Sequence, residues 1–137
     1  LSRLKNLEII NSFGVGVKNI LIIEDDDFFR ELIKKKLSVK FNVFEAVDGE
    51  KGVAIIKEKK PDLVLLDLLL PNVDGFGVLS QVKADSELSS VPVIILSNLG
   101  QQEDIERALK LGANDFLIKS QFDIDQVVDK ISNILKQ

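Results

Sequence analysis

The sequence predicts an α/β fold in which five helices cover the two faces of a doubly wound, five-stranded parallel sheet. Strand-like and helix-like segments alternate from Asn19 to the end of the chain. Three strand-like segments are continuous apolar runs, as expected when helices cover both faces of parallel strands; they are residues 20–23, 63–66 and 93–96. The 137 residues suffice for one domain with a well-buried core, and residues 18–137 are assigned to it.

The first two β-α units are predicted from apolar periodicity and turn signals. A strand over residues 20–23 leads to a helix over residues 27–37, with Asp26 or Asp27 as its N-cap. The helix places its apolar side chains on one face, with Arg30 and the lysines mostly opposite. The predicted inward residues are Phe28, Phe29, Leu32, Ile33 and Leu37. The next strand, turn and helix cover residues 41–46, 48–49 and 50–60.

The remaining three units follow the same logic. The third strand, residues 63–66, precedes a loop of turn formers and a helix over residues 76–84. The fourth strand, residues 92–96, leads to a helix that Gly112 ends as its C-cap, and the fifth strand covers residues 115–118. The last two helices cover residues 101–111 and 122–135. Their predicted inward residues are Ile105, Ala108 and Leu109, then Ile124, Val127, Val128, Ile131 and Leu135.

Residues 1–17 form an N-terminal lead that does not share this alternation. Its apolar residues recur at the spacing of a short amphipathic helix: Leu1, Leu4, Leu7 and Ile10. We expect this lead to be disordered, and the alternative is a short helix that packs on the domain or on a second copy of the chain.

Charge and hydropathy exclude two kinds of partner. The chain has 22 acidic and 18 basic residues, a net charge of -4, so it carries no electrostatic footprint for direct nucleic-acid binding. Its apolar runs are too short to span a bilayer, and no segment resembles a signal peptide. We therefore expect an intracellular, soluble protein located in the cytoplasm.

The absence of cysteine and histidine narrows the chemistry. Without cysteine there is neither a disulfide nor a thiol nucleophile, and without histidine the commonest general base and zinc ligand are missing. Any bound metal must therefore be held by oxygen atoms, which favours magnesium, manganese or calcium.

Polar residues follow four of the predicted strands at the point where each strand ends. Glu24 and Asp25 follow the first strand, Asp67 the third, Ser97 the fourth and Lys119 the fifth. The carboxyl ends of parallel strands form one edge of an open α/β sheet, and ligands bind at that edge. Each residue taken alone has an ordinary structural role, but their joint order along the strands favours a common site.

The residue types at this edge suit phosphoryl chemistry. Carboxylates held close together raise one another's pKa unless a cation intervenes, so the acids predict a divalent metal site, with Mg²⁺ preferred. The Lys119 ammonium and the Ser97 hydroxyl could bind phosphoryl oxygens. Asp67, at the end of the central strand, is then the best candidate for a nucleophile that carries an acyl phosphate.

Four ordered segments resemble the receiver domain of two-component response regulators. They are residues 20–27 (ILIIEDDD), 61–75 (PDLVLLDLLLPNVDG), 91–97 (VPVIILS) and 112–119 (GANDFLIK). The resemblance covers residues 18–137 and implies a flavodoxin-like fold with strand order 2-1-3-4-5.

The resemblance implies a role for each acid. Asp67 would accept a phosphoryl group from the phosphohistidine of a sensor histidine kinase or a histidine phosphotransfer protein. Asp25 would bind Mg²⁺ directly and Glu24 through water, with Asp67 and the backbone carbonyl of Leu69 as further ligands. Manganese would be an alternative to magnesium.

The resemblance also implies a switch. Lys119 would pair with the phosphate, Ser97 would move to hydrogen-bond it, and Phe116 would turn inward as the aromatic switch residue. Phosphorylation would then bias a two-state equilibrium of a surface made of the fourth helix, the fifth strand and the fifth helix. The partners implied are a downstream protein or an output domain, with a homodimer formed on activation as an alternative. The chain would not be an enzyme beyond its own phosphorylation and slow dephosphorylation.

Four positions depart from the usual receiver pattern. Receivers usually carry a proline after the lysine, joined by a cis peptide, and this chain has Ser120, where a cis bond costs about 3 kcal/mol. Either the loop enforces that bond or Lys119 lies differently. Phe116 replaces the common tyrosine. Leu69 and Leu99 stand where other receivers can carry polar groups that position water, which predicts slow self-dephosphorylation.

Three other functions compete with a phosphoacceptor. A receiver-like interaction module that works without phosphorylation is supported by Ser120 and the missing tyrosine. A magnesium-dependent phosphatase would need an acid two residues after its nucleophile, where this chain has Leu69. A flavin carrier is disfavoured because the acidic loop after the first strand would repel phosphate, and no P-loop motif is present.

Overall fold

The computed structural model describes residues 16–136, and it confirms the predicted fold. Within these residues five parallel strands form one sheet in the order β2-β1-β3-β4-β5. The strands are β1 (Asn19–Ile23), β2 (Asn42–Ala46), β3 (Leu63–Leu66), β4 (Val93–Ser97) and β5 (Asp115–Ile118). The helices are α1 (Asp27–Leu37), α2 (Gly49–Lys59), α3 (Gly75–Ala84), α4 (Gln102–Lys110) and α5 (Ile124–Leu135). Both expectations for the N-terminal lead, disorder or a short helix, stay predictions, because residues 1–15 lie outside the described residues.

Two hydrophobic cores sandwich the sheet, as its continuous apolar strands predict. Alternate residues of β1 contribute to each core: Leu21 and Ile23 to one, Ile20 and Ile22 to the other. The first core is completed by α2, α3 and α4, and the second by α1 and α5. The strands that both cores cover have no polar face, and this explains why β1, β3 and β4 read as unbroken apolar runs.

The strand register brings the polar strand ends to one edge. Ile23, the last residue of β1, pairs with Leu66, the last residue of β3. On the other side of β3, Leu66 pairs with Ile95, and Ser97 in turn pairs with Ile118 at the end of β5. The residues that directly follow β1, β3 and β5, together with the last residue of β4, are therefore neighbours.

Short side chains with oxygen acceptors begin four of the helices. Each of these four helices is preceded by an aspartate whose carboxylate accepts a hydrogen bond from a first-turn N–H, a typical N-cap. These aspartates are Asp26, Asp48, Asp74 and Asp123. Asp26, of the two predicted candidates, is thus the cap of α1. Gly112 has φ 108° just after α4, a backbone conformation that favours glycine.

The inward face predicted for α1 is partly wrong. Phe28 is 75% exposed and Leu32 is 39% exposed, whereas Arg30 is only 8% exposed. The helix buries Arg30 with Ile33 and Leu37, at the i, i+3 and i+7 positions of one face. The guanidinium can be buried because it donates hydrogen bonds to two carboxylates and one backbone carbonyl, as described below.

The buried apolar face of α4 is also narrower than predicted. Ala108 is fully buried, but Leu109 is 47% exposed. On α5, Val127 and Ile131 are buried as predicted. Among the helices of residues 16–136, none combines the length and apolar character needed to cross a membrane.

Candidate functional site

The five side chains predicted to form a site lie together at the carboxyl edge of the sheet. Glu24, Asp67 and Ser97 are buried, at 3%, 6% and 0% exposure, and Lys119 is half-buried. Asp25 is exposed. The arrangement is an acidic pocket in which Asp25 is the most exposed of the three acids.

Asp67 is at the centre of the hydrogen-bond network. Its Oδ1 accepts a bond of 2.7 Å from the Ser97 hydroxyl and one of 3.2 Å from the Leu69 backbone N–H. Its Oδ2 accepts a bond of 3.1 Å from Lys119 Nζ. Each carboxylate oxygen therefore has a polar partner, which offsets the cost of burying the charge at the end of a hydrophobic strand.

Lys119 bridges two of the acids. Its Nζ lies 2.5 Å from Glu24 Oε1 and 3.1 Å from Asp67 Oδ2, and it stands 4.5 Å from the centre of the Phe29 ring. The peptide bond to Ser120 is trans, and Lys119 begins a short 3₁₀ turn. Of the two alternatives considered for this bond, the cis form is absent, yet the lysine still reaches Asp67.

Burial and charge shift the pKa values of the bridged pair. Burial raises the pKa of the Glu24 carboxyl, and the hydrogen bonds from Lys119 and from the Asp26 N–H offset this only in part. Burial acts against the charge on Lys119, but its hydrogen bond to Glu24 and the charges of Asp67 and Glu24 outweigh that effect and raise its pKa. The ammonium is therefore held charged against the acidic cluster.

Glu24, Asp25 and Asp67 could together hold a metal ion. One carboxylate oxygen from each residue lies within 4.8 Å of the others. The donors are all oxygen, as a hard cation such as Mg²⁺ requires. The backbone of Leu69 is adjacent, because its N–H bonds Asp67, while its side chain is 54% exposed. That the Leu69 carbonyl is a ligand stays a prediction.

The predicted switch residues lie on neighbouring strands. Ser97 ends β4, and its hydroxyl oxygen also accepts a bond of 3.3 Å from the Leu99 N–H. Phe116 lies in the adjacent β5 and is half-buried against the core beneath α2, α3 and α4. Their movement on phosphorylation stays a prediction.

Three residues that support the site, Asp26, Phe29 and Arg30, were not predicted from the sequence to do so. The Asp26 N–H donates to Glu24 Oε2 at 3.0 Å, and the Phe29 ring lies beside the Lys119 ammonium. Arg30 Nη1 donates to the backbone carbonyl of Glu24 at 2.9 Å. The available signal for Arg30 was the run of acids just before it, since a buried guanidinium needs carboxylate partners.

Comparison with known proteins places the chain in a family. The family model described as response regulator receiver domain matches residues 20–132. With the fold and the acidic pocket, this match shows that the chain belongs to the response regulator receiver domains of two-component signalling.

Individual relatives agree with this assignment. The chain is 38% identical over 119 residues to the DNA-binding dual master transcriptional regulator RpaA of Synechocystis sp., covering 86% of this chain and 49% of that protein. It is 33% identical over 119 residues to the chemotaxis protein CheY of Halobacterium salinarum, covering 86% of this chain and 97% of that protein. The chain thus spans about half the length of the first curated relatives it matches.

A solved structure shows the same fold. The phosphorylated cyanobacterial phytochrome response regulator RcpA superposes with a TM-score of 0.77 at 31% identity, covering 87% of this chain and 91% of that one. The fold described above is thus shared with a regulator that was crystallised in a phosphorylated form.

Proposed function

We propose that Asp67 is the phosphoacceptor of this receiver domain and takes a phosphoryl group from the phosphohistidine of a sensor kinase or a histidine phosphotransfer protein. The observation that carries the proposal is the network on the Asp67 carboxylate. A hydroxyl and an ammonium approach its two oxygens within 3.1 Å, and two further acids border it. The phosphorylated state of the related regulator RcpA supports the same chemistry.

In the proposed transfer, these groups have separate roles. An Asp67 oxygen attacks the phosphorus, the P–N bond to the donor imidazole breaks, and the imidazole leaves with the bonding electron pair and takes up a proton. Lys119 and Ser97 can then donate to the phosphoryl oxygens instead of to the free carboxylate. The chain would be a signalling phosphoacceptor that catalyses only its own phosphorylation and slow dephosphorylation.

Glu24, Asp25, Asp67 and the Leu69 carbonyl would hold the cation. Mg²⁺, or Mn²⁺ in its place, would supply positive charge against the phosphoryl oxygens. The protein's own contribution is to keep three carboxylates close together, with Lys119 compensating part of their charge.

The conformational change caused by phosphorylation would pass from Ser97 on β4 to the neighbouring strand β5. Ser97 and Phe116 would shift together and change the surface of α4, β5 and α5, which would bind a downstream protein, an output domain or a second copy of the chain. We propose a cytoplasmic location for this exchange.

Beryllofluoride, a mimic of the phosphoryl group, tests the proposal. With Mg²⁺ it should shift the NMR signals of wild-type Asp67, Ser97 and α4, and it should leave Asp67→Asn unchanged. Size-exclusion chromatography of the same samples would show whether activation forms a dimer. If the NMR signals of the folded wild-type protein do not change with beryllofluoride, the result would instead support an interaction module that works without phosphorylation.

A further inference from the structure

Arg30 links the candidate metal site to the rest of the domain. It is 8% exposed, and its guanidinium makes three contacts in three directions. Nε donates to Glu45 Oε1 on β2 at 2.9 Å, Nη2 to Asp27 Oδ1 at 2.6 Å, and Nη1 to the backbone carbonyl of Glu24 at 2.9 Å. Only the last of these contacts touches the site.

The contacted carbonyl belongs to the peptide group that joins Glu24 to Asp25, two of the three acids that could hold a cation. The N–H of Glu24 is fixed separately, by a bond of 3.0 Å to the carbonyl of Ala46. The Asp25 side chain has no hydrogen bond or ion pair within residues 16–136. Its position therefore depends on the backbone that Arg30 holds.

We propose that Arg30 is a positioning residue that sets the affinity of the site for divalent cations by fixing the Glu24–Asp25 peptide group. This inference rests on the proposed function, because it assumes that the acidic cluster binds Mg²⁺. Groups that orient the ligands of a metal commonly change its affinity by about 10- to 100-fold when removed.

Arginine suits this role better than lysine would. Its planar guanidinium presents donors along several fixed directions, whereas an ammonium is a point charge on a flexible stem. Glu45 anchors the guanidinium from β2 and binds Lys34 through its other oxygen, at 2.5 Å. The contact to the Glu24 carbonyl is thereby held by two elements, α1 and β2.

The chain offers a matched control, because Lys34 shares the helix, the charge and the Glu45 partner of Arg30 but makes no contact with Glu24. Arg30→Gln and Lys34→Gln each remove one positive charge. If the charge alone mattered, both substitutions would strengthen cation binding, because less repulsion would remain. If positioning matters, Arg30→Gln must weaken binding instead.

Isothermal titration of the metal-free proteins with Mg²⁺ decides between these outcomes. We expect Arg30→Gln and Arg30→Lys to bind at least about tenfold more weakly than wild type, and Lys34→Gln to match it or bind slightly tighter. With acetyl phosphate as donor, the Arg30 variants should need more Mg²⁺ for half-maximal phosphorylation, while the rate at saturating Mg²⁺ stays within about twofold of wild type.

Two results would distinguish a failure of the proposed function from a failure of the positioning role alone. Wild-type protein that binds no Mg²⁺ would refute the proposed function. Wild-type protein that binds Mg²⁺ while Arg30→Gln binds it equally well or better would overturn the positioning role alone. If Arg30→Gln does not fold, Arg30→Lys, which keeps the charge, takes its place, and wild-type affinity in that variant would equally overturn the role.

Discussion

At the scale of single residues, the site depends on where each donor points. The Ser97 hydroxyl and the Lys119 ammonium approach different oxygens of Asp67, so the carboxylate is held in one orientation. The chemistry of Asp67 should therefore respond separately to the loss of each.

Removing the Ser97 hydroxyl should slow phosphorylation without preventing it. Ser97→Ala deletes the 2.7 Å bond to Asp67 Oδ1 and a donor for the phosphoryl group. A buried hydrogen bond is worth about 1 kcal/mol, and this corresponds to a rate lower by roughly fivefold. Single-turnover phosphorylation by acetyl phosphate measures the change. Ser97→Thr keeps the hydroxyl and should stay close to wild type, and equal rates for Ala and wild type would refute the role of the hydroxyl.

Two leucines beside the site should make the phosphorylated state long-lived. Leu69 and Leu99 offer no polar group to orient an attacking water, although the backbone of each is bonded into the site. Replacing both by asparagine should shorten the half-life of the phosphorylated protein, followed by the decay of its mass signal. The same change at Leu109, an exposed residue of α4, should have no effect. An unchanged or longer half-life in the double variant would count against this account.

At the scale of secondary-structure elements, α1 is tied to β2 by charge as well as by apolar packing. The hydrogen bond from Lys34 lowers the pKa of Glu45 most; burial opposes this, and the hydrogen bond from Arg30 adds to it. The folded state therefore favours the carboxylate form. Its stabilising contribution is complete above the pKa of an unfolded Glu, about 4.3, and is lost as the pH falls through the lower folded value.

Acid should consequently destabilise the wild type more than Glu45→Gln. The Glu45 side chain is 31% exposed, so solvent screens the pair and the difference should be on the order of 0.5 kcal/mol. Urea unfolding at about pH 7 and about pH 3 measures it, because only the wild type loses this carboxylate on acidification. An equal loss of unfolding free energy in the two proteins would contradict the assigned contacts.

The junction between β3 and α3 leaves no room for a side chain at Gly75. A Cβ there would lie 2.4 Å from the carbonyl oxygen of Asp67 and 2.5 Å from Leu68 Cα, both backbone atoms. Gly75→Ala should lower the unfolding free energy by about 1–3 kcal/mol and slow phosphorylation, because the backbone of Asp67 must move.

Gly77, in the same helix, is the matched control for Gly75. Its Cβ would meet side chains and no backbone atom, Val73 Cγ1 at 2.8 Å and Asp74 Oδ1 at 3.7 Å, and alanine adds helix propensity of about 1 kcal/mol. Thermal unfolding of both variants should therefore show a clear loss for Gly75→Ala and little change for Gly77→Ala. Equal stability of the two would show that the junction is looser than described.

Local sequence patterns predicted the strands and the ends of the helices well, but they predicted helix orientation less well. Apolar runs and aspartate caps are signals within one segment, and they place β1, β3 and β4 and the start of α1. The burial of Arg30 depends on Glu45, fifteen residues away on β2, and on the carbonyl of Glu24. Because these partners meet only in the folded domain, helical periodicity alone favoured Phe28 as an inward residue.

At the scale of the whole molecule, the parallel register converts sequence order into a site. Residues 24, 67, 97 and 119 are far apart in the chain, and strand pairing aligns them at one edge. The resemblance to receiver domains implied the strand order, and the polar residues that follow four of the strands predicted the shared edge. The bridging of Glu24 and Asp67 by Lys119 could not, because it depends on the turn after β5, where Ser120 replaces the usual proline.

The most direct test of the account is the intact mass of the protein after incubation with acetyl phosphate and Mg²⁺. We predict that the wild type gains the mass of one phosphoryl group and that Asp67→Asn gains none. Asp62→Asn is the control, because Asp62 bonds Asn19 at the start of β1, at the opposite end of the sheet, and it should be phosphorylated like the wild type. A folded wild type that gains no mass, or an Asp67→Asn protein that gains as much as the wild type, would contradict the central claim that Asp67 receives the phosphoryl group.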